Sequence, residues 1–137
     1  MSDCIFCKIV SGQLPSTKLY EDADALVIMD INPIASGHAL LLSKTHYVTL
    51  TDAPAGHLAS LSAVLLKVVP AILKGTGAEG FNIIQNNQRC AGQLVPHLHF
   101  HIVPRKTDDG IRFSRPPSPA AKAEINTMAE AIKKQLI

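Results

Sequence analysis

His97, His99 and His101 alternate with large apolar residues in the run His97-Leu98-His99-Phe100-His101-Ile102-Val103, so half of the chain's six histidines fall within five positions. In an extended strand successive side chains point to opposite faces. Three imidazoles then share one face, and Leu98, Phe100 and Ile102 share the other. Such a cluster is costly to bury unless each ring nitrogen finds a partner. Two chemistries use it. Imidazole suits zinc, so the three histidines form one candidate metal site. Alternatively, one neutral histidine attacks a substrate covalently while a neighbour handles protons, because histidine titrates near neutrality.

The cysteines add a second candidate. Cys4 and Cys7 form a Cys-x-x-Cys pair, and Cys90 stands alone. An odd cysteine count with no secretion signal argues against a disulfide framework. No thioredoxin-like βαβ pattern follows the pair, and a zinc site built on it needs two more ligands. His57, near the start of a long helical pattern, reads as a surface helix residue, and Cys90 as incidental.

The elements that must position these groups follow from pattern. Residues 4–11 read as one helical turn ending near Gly12, and Lys18 to Asp22 as a short strand. Ala25 to Ile31 reads as a buried strand. Asn32-Pro33 breaks it, Ser36-Gly37 completes the turn, and His38 to Ser43 returns as its antiparallel partner. Thr51 or Asp52 is set to cap a helix with Pro54 in its first turn. Leu58, Leu61, Val64, Leu65, Val68 and Ile72 give that helix an apolar face. Gly75 and Gly77 stop it, and Pro70 is expected to kink it or end it early. Phe81 to Gln85 reads as a strand, Asn86 to Gln93 as a polar loop, and the histidine strand follows. Arg105 to Pro117 is a loop. Ser118 and Pro119 open a last helix whose apolar face is Ile125, Met128, Ile132 and Leu136. Without βαβ alternation this order predicts an α+β fold: an antiparallel sheet of about five strands with two main helices.

Composition bounds the function. The chain has 137 residues, 47% of them hydrophobic, and a formal net charge of +2. That length suits one domain over 1–137, with a core over about 4–104 and a C-terminal loop and helix over 105–137. The charge is too weak to argue for a polymeric nucleic acid, though a small anionic ligand needs only a local donor pocket. No apolar run reads as a membrane span, and the N-terminus lacks the features of a signal peptide, so a cytoplasmic location and no membrane partner are expected.

The heptad His97 to Val103 resembles the signature of the histidine triad (HIT) family. Asp30-Ile31-Asn32-Pro33 with Gly37-His38 resembles the family's nucleoside-binding strand pair. Asn86 with Ala91-Gly92-Gln93 resembles its phosphate loop. The likeness runs from about Cys4 to Pro104 and is closer to the Hint type than to the Fhit type, on the aspartate at Asp30. It implies a HIT-like fold, a homodimer whose sheets join, and an enzyme that cleaves purine nucleoside phosphoramidates, of the adenosine 5'-monophosphoramidate type, at the α-phosphorus. His99 would be the nucleophile, with a covalent nucleotidyl-histidine intermediate. His101 would assist, and His38 would stand beside the triad as a fourth histidine. Asp30 would hold ribose hydroxyls, Ile31 would pack on the base, and Asn86, Gly92 and Gln93 would hold the phosphate. The likeness also implies a structural zinc on Cys4, Cys7, His46 and His97, and no catalytic metal. Alternatives are a dinucleoside polyphosphate hydrolase, a nucleotide-binding regulator with residual catalysis, and a zinc hydrolase using all three histidines as ligands. The chain departs from the pattern at Leu94, where the family usually carries a serine or threonine hydroxyl.

Overall fold

The computed structural model of the protein describes residues 3–112 and positions 123, 126, 127 and 133. Five strands form one antiparallel sheet: β1 (Lys18–Glu21), β2 (Ala25–Met29), β3 (Ala39–Ser43), β4 (Gly80–Ile84) and β5 (His99–Arg105), in the order β1-β2-β3-β5-β4. Helix α1 (Ile5–Val10) precedes them, and α2 (Ala55–Thr76) joins β3 to β4. The strand count, pairing and fold class agree with the sequence reading. The C-terminal helix expected from Ser118 lies outside the described residues, apart from helical backbone at Ala123, Asn126, Thr127 and Lys133.

The sheet has a layer on each face. On one face Ala25, Val27, Ala39, Leu41, Leu98 and Ile102 pack against Leu61, Val64, Val68, Val69 and Ile72 of α2. On the other, Leu26, Ile28, Leu40 and Leu42 pack against Phe6 of α1. β2 and β3 are covered on both sides, which is why they read as continuous apolar runs rather than alternating ones. Strand pairing aligns Leu42 with His99 and Leu40 with His101. Directly paired residues share a face, so both histidines lie on the α1 side.

Three local expectations change. α2 runs through Pro70 to Thr76 instead of ending there. Pro70 and Leu66, whose carbonyl lies one turn earlier, are both exposed, so water can take the place of the hydrogen bond that proline cannot donate. Neither Thr51 nor Asp52 caps α2, whose N-cap is Pro54; Thr49 and Asp52 instead form a capping box around a short 3-10 turn over Leu50–Asp52. At 22 residues, α2 is also long and apolar enough to cross a membrane by length and composition, contrary to the sequence reading. Its buried side chains are spent on the sheet.

Candidate active site and metal centre

The histidine run does not enter the sheet as one piece. β5 begins at His99, and His97 sits just before it, completely buried. The chain is still tied there on both sides: the Ser43 N–H donates to the Leu98 carbonyl at 3.1 Å, and the Leu98 N–H to the Tyr47 carbonyl at 2.6 Å. The three imidazoles therefore have different surroundings: main-chain carbonyls decide which nitrogen carries the proton on His97 and His99, and the His38 side chain decides it on His101.

His99 Nδ1 lies 2.6 Å from the His97 carbonyl. A carbonyl only accepts, so Nδ1 carries the hydrogen and Nε2 keeps a free lone pair. Burial pushes the His99 imidazole below its ordinary pKa, which holds it neutral. A neutral ring with an open Nε2 is the state a nucleophile needs.

His97 Nε2 lies 2.6 Å from the Ser43 carbonyl, which by the same reasoning leaves its Nδ1 unprotonated. That Nδ1 lies 3.2 Å from Cys4 Sγ, 3.6 Å from Cys7 Sγ and 3.1 Å from His46 Nδ1, while Cys7 Sγ lies 3.2 Å from His46 Nδ1. All four ligand atoms fall within 4.8 Å of one another. Tetrahedral zinc with ordinary bond lengths sets its nitrogen and sulfur ligands about 3.3–3.8 Å apart, so the four residues fit a metal ion of that kind. The carbonyl on the far side of His97 is the outer partner that ligating histidines usually have. Burial and the neighbouring Cys4 push the Cys7 thiol up, and a divalent cation would reverse that by binding the thiolate. The sequence set Cys4, Cys7, His46 and His97 is thus brought together.

His38 accepts the Ile34 N–H at its Nδ1 (3.2 Å), so its proton is on Nε2. Nε2 lies 3.0 Å from His101 Nδ1 and 3.4 Å from Asp30 Oδ2. Donation to His101 Nδ1 leaves the proton of neutral His101 on Nε2. Asp30, His38 and His101 also have ligand atoms within 4.8 Å of one another. Their proton arrangement is wrong for a cation, however, because His38 would have to give up the bond from Ile34 to ligate through Nε2. The trio forms a hydrogen-bonded chain that ends in a donor. Burial first, then the neighbouring rings of His99 and His38, push His101 down to about 4, with Asp30 opposing.

That depression is a stability statement. The unfolded chain takes up the His101 proton near its ordinary value of 6.5, and the folded chain only near 4. The contribution is therefore intact above about pH 6.5 and is lost as pH falls toward 4. Thermal melts followed by circular dichroism are expected to show roughly 2–3 kcal/mol lost across that window, with His101→Asn flattening the slope.

Asp30 stands close to the histidines. Its Oδ1 accepts the Asn32 N–H at 2.8 Å, and its side chain is 15% exposed. Ile31, next to it, is 91% exposed. Gly37, with φ +89°, turns the chain toward His38; a Cβ there would meet Thr76 Cγ2, so both its conformation and its packing require glycine.

The loop before the triad differs from the expectation in detail. Gln93 is buried, and its side chain is spent on the scaffold: Oε1 accepts the Gln88 N–H at 2.8 Å and Nε2 donates to the Val48 carbonyl at 2.6 Å. The Gly92 and Gln93 N–H groups, expected to face phosphate, donate to the Arg89 and Gln88 carbonyls. Among the described residues no acceptor meets the N–H of Leu94, whose side chain is 74% exposed. Asn86 Nδ2 reaches the Gly92 carbonyl at 3.4 Å, a long bond across the loop. Gln88 adopts φ 73°, ψ 158°, a glycine-like conformation that costs on the order of 1–3 kcal/mol, and its bonds to Gln93 hold it there.

Two residues contribute more than the sequence indicated. Phe6 lies edge-on to His99 (centroids 4.9 Å apart) and to His97 (5.8 Å), so α1 is a cover over the histidines, held between two cysteines. The sequence signal is an apolar residue inside Cys-x-x-Cys. His57, expected on the surface, is 9% exposed in its side chain, and its Nε2 lies 2.7 Å from Ser43 Oγ. Nothing local marks it, because its partner belongs to a different element. Cys90 is exposed.

Comparison with known proteins finds relatives over most of the chain. The chain is 38% identical over 134 residues to an adenosine 5'-monophosphoramidase of Schizosaccharomyces pombe, covering 97% of this chain and 98% of that one. It is 44% identical over 108 residues to an adenylylsulfatase of Arabidopsis thaliana, covering 79% of this chain but only 55% of that longer relative. A zinc-bound histidine triad family protein from Mycobacterium smegmatis superposes with a TM-score of 0.77 at 40% identity, covering 98% of this chain and 96% of that one. Residues 11–108 match the HIT domain. With that match, the alternating histidines and the five-stranded antiparallel sheet that carries them, this chain belongs to the HIT family.

Proposed function

We propose that the protein hydrolyses adenosine-type nucleoside phosphoramidates at the α-phosphorus through a covalent nucleotidyl intermediate on His99. The observation that carries this reading is the bond from His99 Nδ1 to the His97 carbonyl, which leaves Nε2 free on a buried, neutral ring. Its relative in Schizosaccharomyces pombe is named for that substrate class. In the first step His99 Nε2 bonds to the α-phosphorus as the bond from phosphorus to the leaving nitrogen breaks. The imidazolium that forms is stabilised through Nδ1–H by the carbonyl behind it. The leaving nitrogen takes a proton from solvent and departs as the amine, while neutral His101, its tautomer set by His38, hydrogen-bonds to the leaving-group side through Nε2–H. The Leu94 N–H, an open donor in its loop, takes a phosphoryl oxygen. Water then attacks phosphorus, the bond to His99 breaks, and the nucleoside monophosphate leaves. Asp30 accepts the ribose hydroxyls, and the exposed Ile31 packs on the base. Asn86 releases its long bond to Gly92 to meet substrate. Gln93 acts by holding the loop, not by touching phosphate.

Cys4, Cys7, His46 and His97 would hold zinc as a closed structural site with no position left for substrate. Its chemistry there is to fix α1 and the start of β5, not to polarise the phosphoryl group.

The test is to mix the protein with adenosine 5'-monophosphoramidate, quench at low temperature and digest. A mass increase of one adenylyl group on the peptide bearing His99 is expected. Turnover without any modified peptide at any quench time would refute the covalent route. A second substrate class is favoured by the adenylylsulfatase relative, in which the leaving group differs while the phosphorus does not. Rates with both substrates rank the two.

The working unit is proposed to be a homodimer. Leu66 on α2 and Phe81 and Ile83 on the edge strand β4 are 80%, 45% and 39% exposed, an apolar load unusual for an isolated surface. Sedimentation is expected to give twice the monomer mass, and Leu66→Glu to give the monomer; a monomeric parent would exclude the assembly.

A further inference from the structure

Ser43, His57 and Asp24 look at first like a nucleophilic triad. His57 Nε2 is 2.7 Å from Ser43 Oγ, and His57 Nδ1 is 3.8 Å from Asp24 Oδ1. The hydrogen bonds exclude that use. Ser43 is completely buried, and its hydroxyl donates its single proton to the Thr45 carbonyl at 2.6 Å. His57 Nε2 must then be the donor to Ser43 Oγ, which is the reverse of a base activating a serine. The distance to Asp24 is too long for a hydrogen bond.

The contacts around Ser43 point elsewhere. Its carbonyl accepts the His97 Nε2–H at 2.6 Å, and its N–H donates to the Leu98 carbonyl at 3.1 Å. Its hydroxyl grips the carbonyl of Thr45, the residue before His46. One serine thus bonds directly to one candidate metal ligand and to the peptide that leads into another. Among the described residues the only side chain bonded to it is that of His57, from the first turn of α2, and His57 also packs edge-on against Tyr47 (centroids 5.3 Å apart). The Tyr47 carbonyl in turn receives the Leu98 N–H at 2.6 Å.

We infer that Ser43 and His57 are positioning residues for the metal centre: they hold the turn at residues 43–47 so that His46 and His97 present their Nδ1 atoms to one point, 3.1 Å apart. Neither residue touches the metal. The Ser43 carbonyl fixes the proton of His97 on Nε2. The serine hydroxyl, held by His57, fixes where that carbonyl and the Thr45 peptide lie. Through this chain α2 is coupled to the first residues of β5, on the opposite side of the sheet from α1.

This rests on Cys4, Cys7, His46 and His97 being the metal site, and the two ideas fail separately. The probe is Co2+, titrated into apoprotein and read by its ligand-field and thiolate charge-transfer bands, with affinity measured by competition against a chromophoric chelator. If the parent protein takes up no Co2+ with thiolate bands, the metal site itself is wrong. If the parent does, Ser43→Ala and His57→Leu are expected to weaken metal binding about 10–100-fold and to shift the ligand-field bands, because outer partners set ligand orientation. His57→Gln keeps an N–H donor near the position of Nε2 and is expected to recover most of the affinity. Parent-like affinity and an unchanged spectrum in Ser43→Ala would overturn the inference, even if its melting temperature fell, since a lower melting point alone is what a merely structural serine would give. Ser43→Ala removes one oxygen and decides the matter if His57→Leu fails to fold.

Discussion

Replacing His99 with alanine is expected to lower kcat by roughly 10⁴-fold or more while the protein keeps one zinc per chain. The size follows from the step removed. Without Nε2 no bond forms to phosphorus, and what remains is direct attack by water on a bound substrate. The retained zinc is as informative as the lost rate. His99 Nδ1 is committed to the His97 carbonyl, and the atoms that could hold a metal belong to Cys4, Cys7, His46 and His97. A hydrolase using all three triad histidines as ligands predicts the opposite: loss of metal along with activity. Metal analysis beside single-turnover kinetics separates the two. A His99→Ala protein retaining more than about a tenth of parental kcat would end the nucleophile assignment.

Stripping zinc, or replacing Cys4 and Cys7 with serine, is expected to lower the melting temperature by roughly 10 °C or more and to reduce turnover with it. α1 has six residues and too few bonds of its own to persist alone. Its ties to the sheet are the packing of Phe6, Ile9 and Val10 and the two cysteines that converge with His46 and His97. Releasing the cysteines frees α1, uncovers His99 where Phe6 lies against it, and loosens the residues leading into β5. Loss and recovery of melting temperature and kcat should track each other when zinc is removed and restored. A melting temperature unmoved by chelation would mean that the site contributes nothing to the fold. Turnover that falls while the melting temperature holds would return the metal to the chemistry.

Much of this was legible before any coordinates. Alternation of histidine with Leu98, Phe100 and Ile102 identified a strand with one chemical face, and the face is real for His99 and His101, which pair with Leu42 and Leu40. The spacing of Leu61, Val64, Val68 and Ile72 identified the helix that covers the opposite face. Periodicity is a local property, so a single chain displays it. α2 does not end early at Pro70, because the cost of a proline depends on whether its surroundings are wet, and that is decided by which face of α2 meets the sheet.

The sequence by itself determined the kinds of atoms available: three alternating imidazoles, a pair of thiols, a carboxylate and a histidine flanking a turn, and strands able to carry them. Only the tertiary structure made the imidazoles unequal. His97 gives its proton to a carbonyl 54 residues away, His99 to one two residues away, and His101 is paired with a histidine 63 residues away. A ring nitrogen is a ligand, a nucleophile or a donor according to what its other nitrogen meets, and two of those three partners belong to distant parts of the chain. The same reason hid Phe6 and His57. Each acts through a contact between different elements, Phe6 of α1 with His97 and His99 and His57 of α2 with Ser43, and no spacing along the chain encodes such a contact.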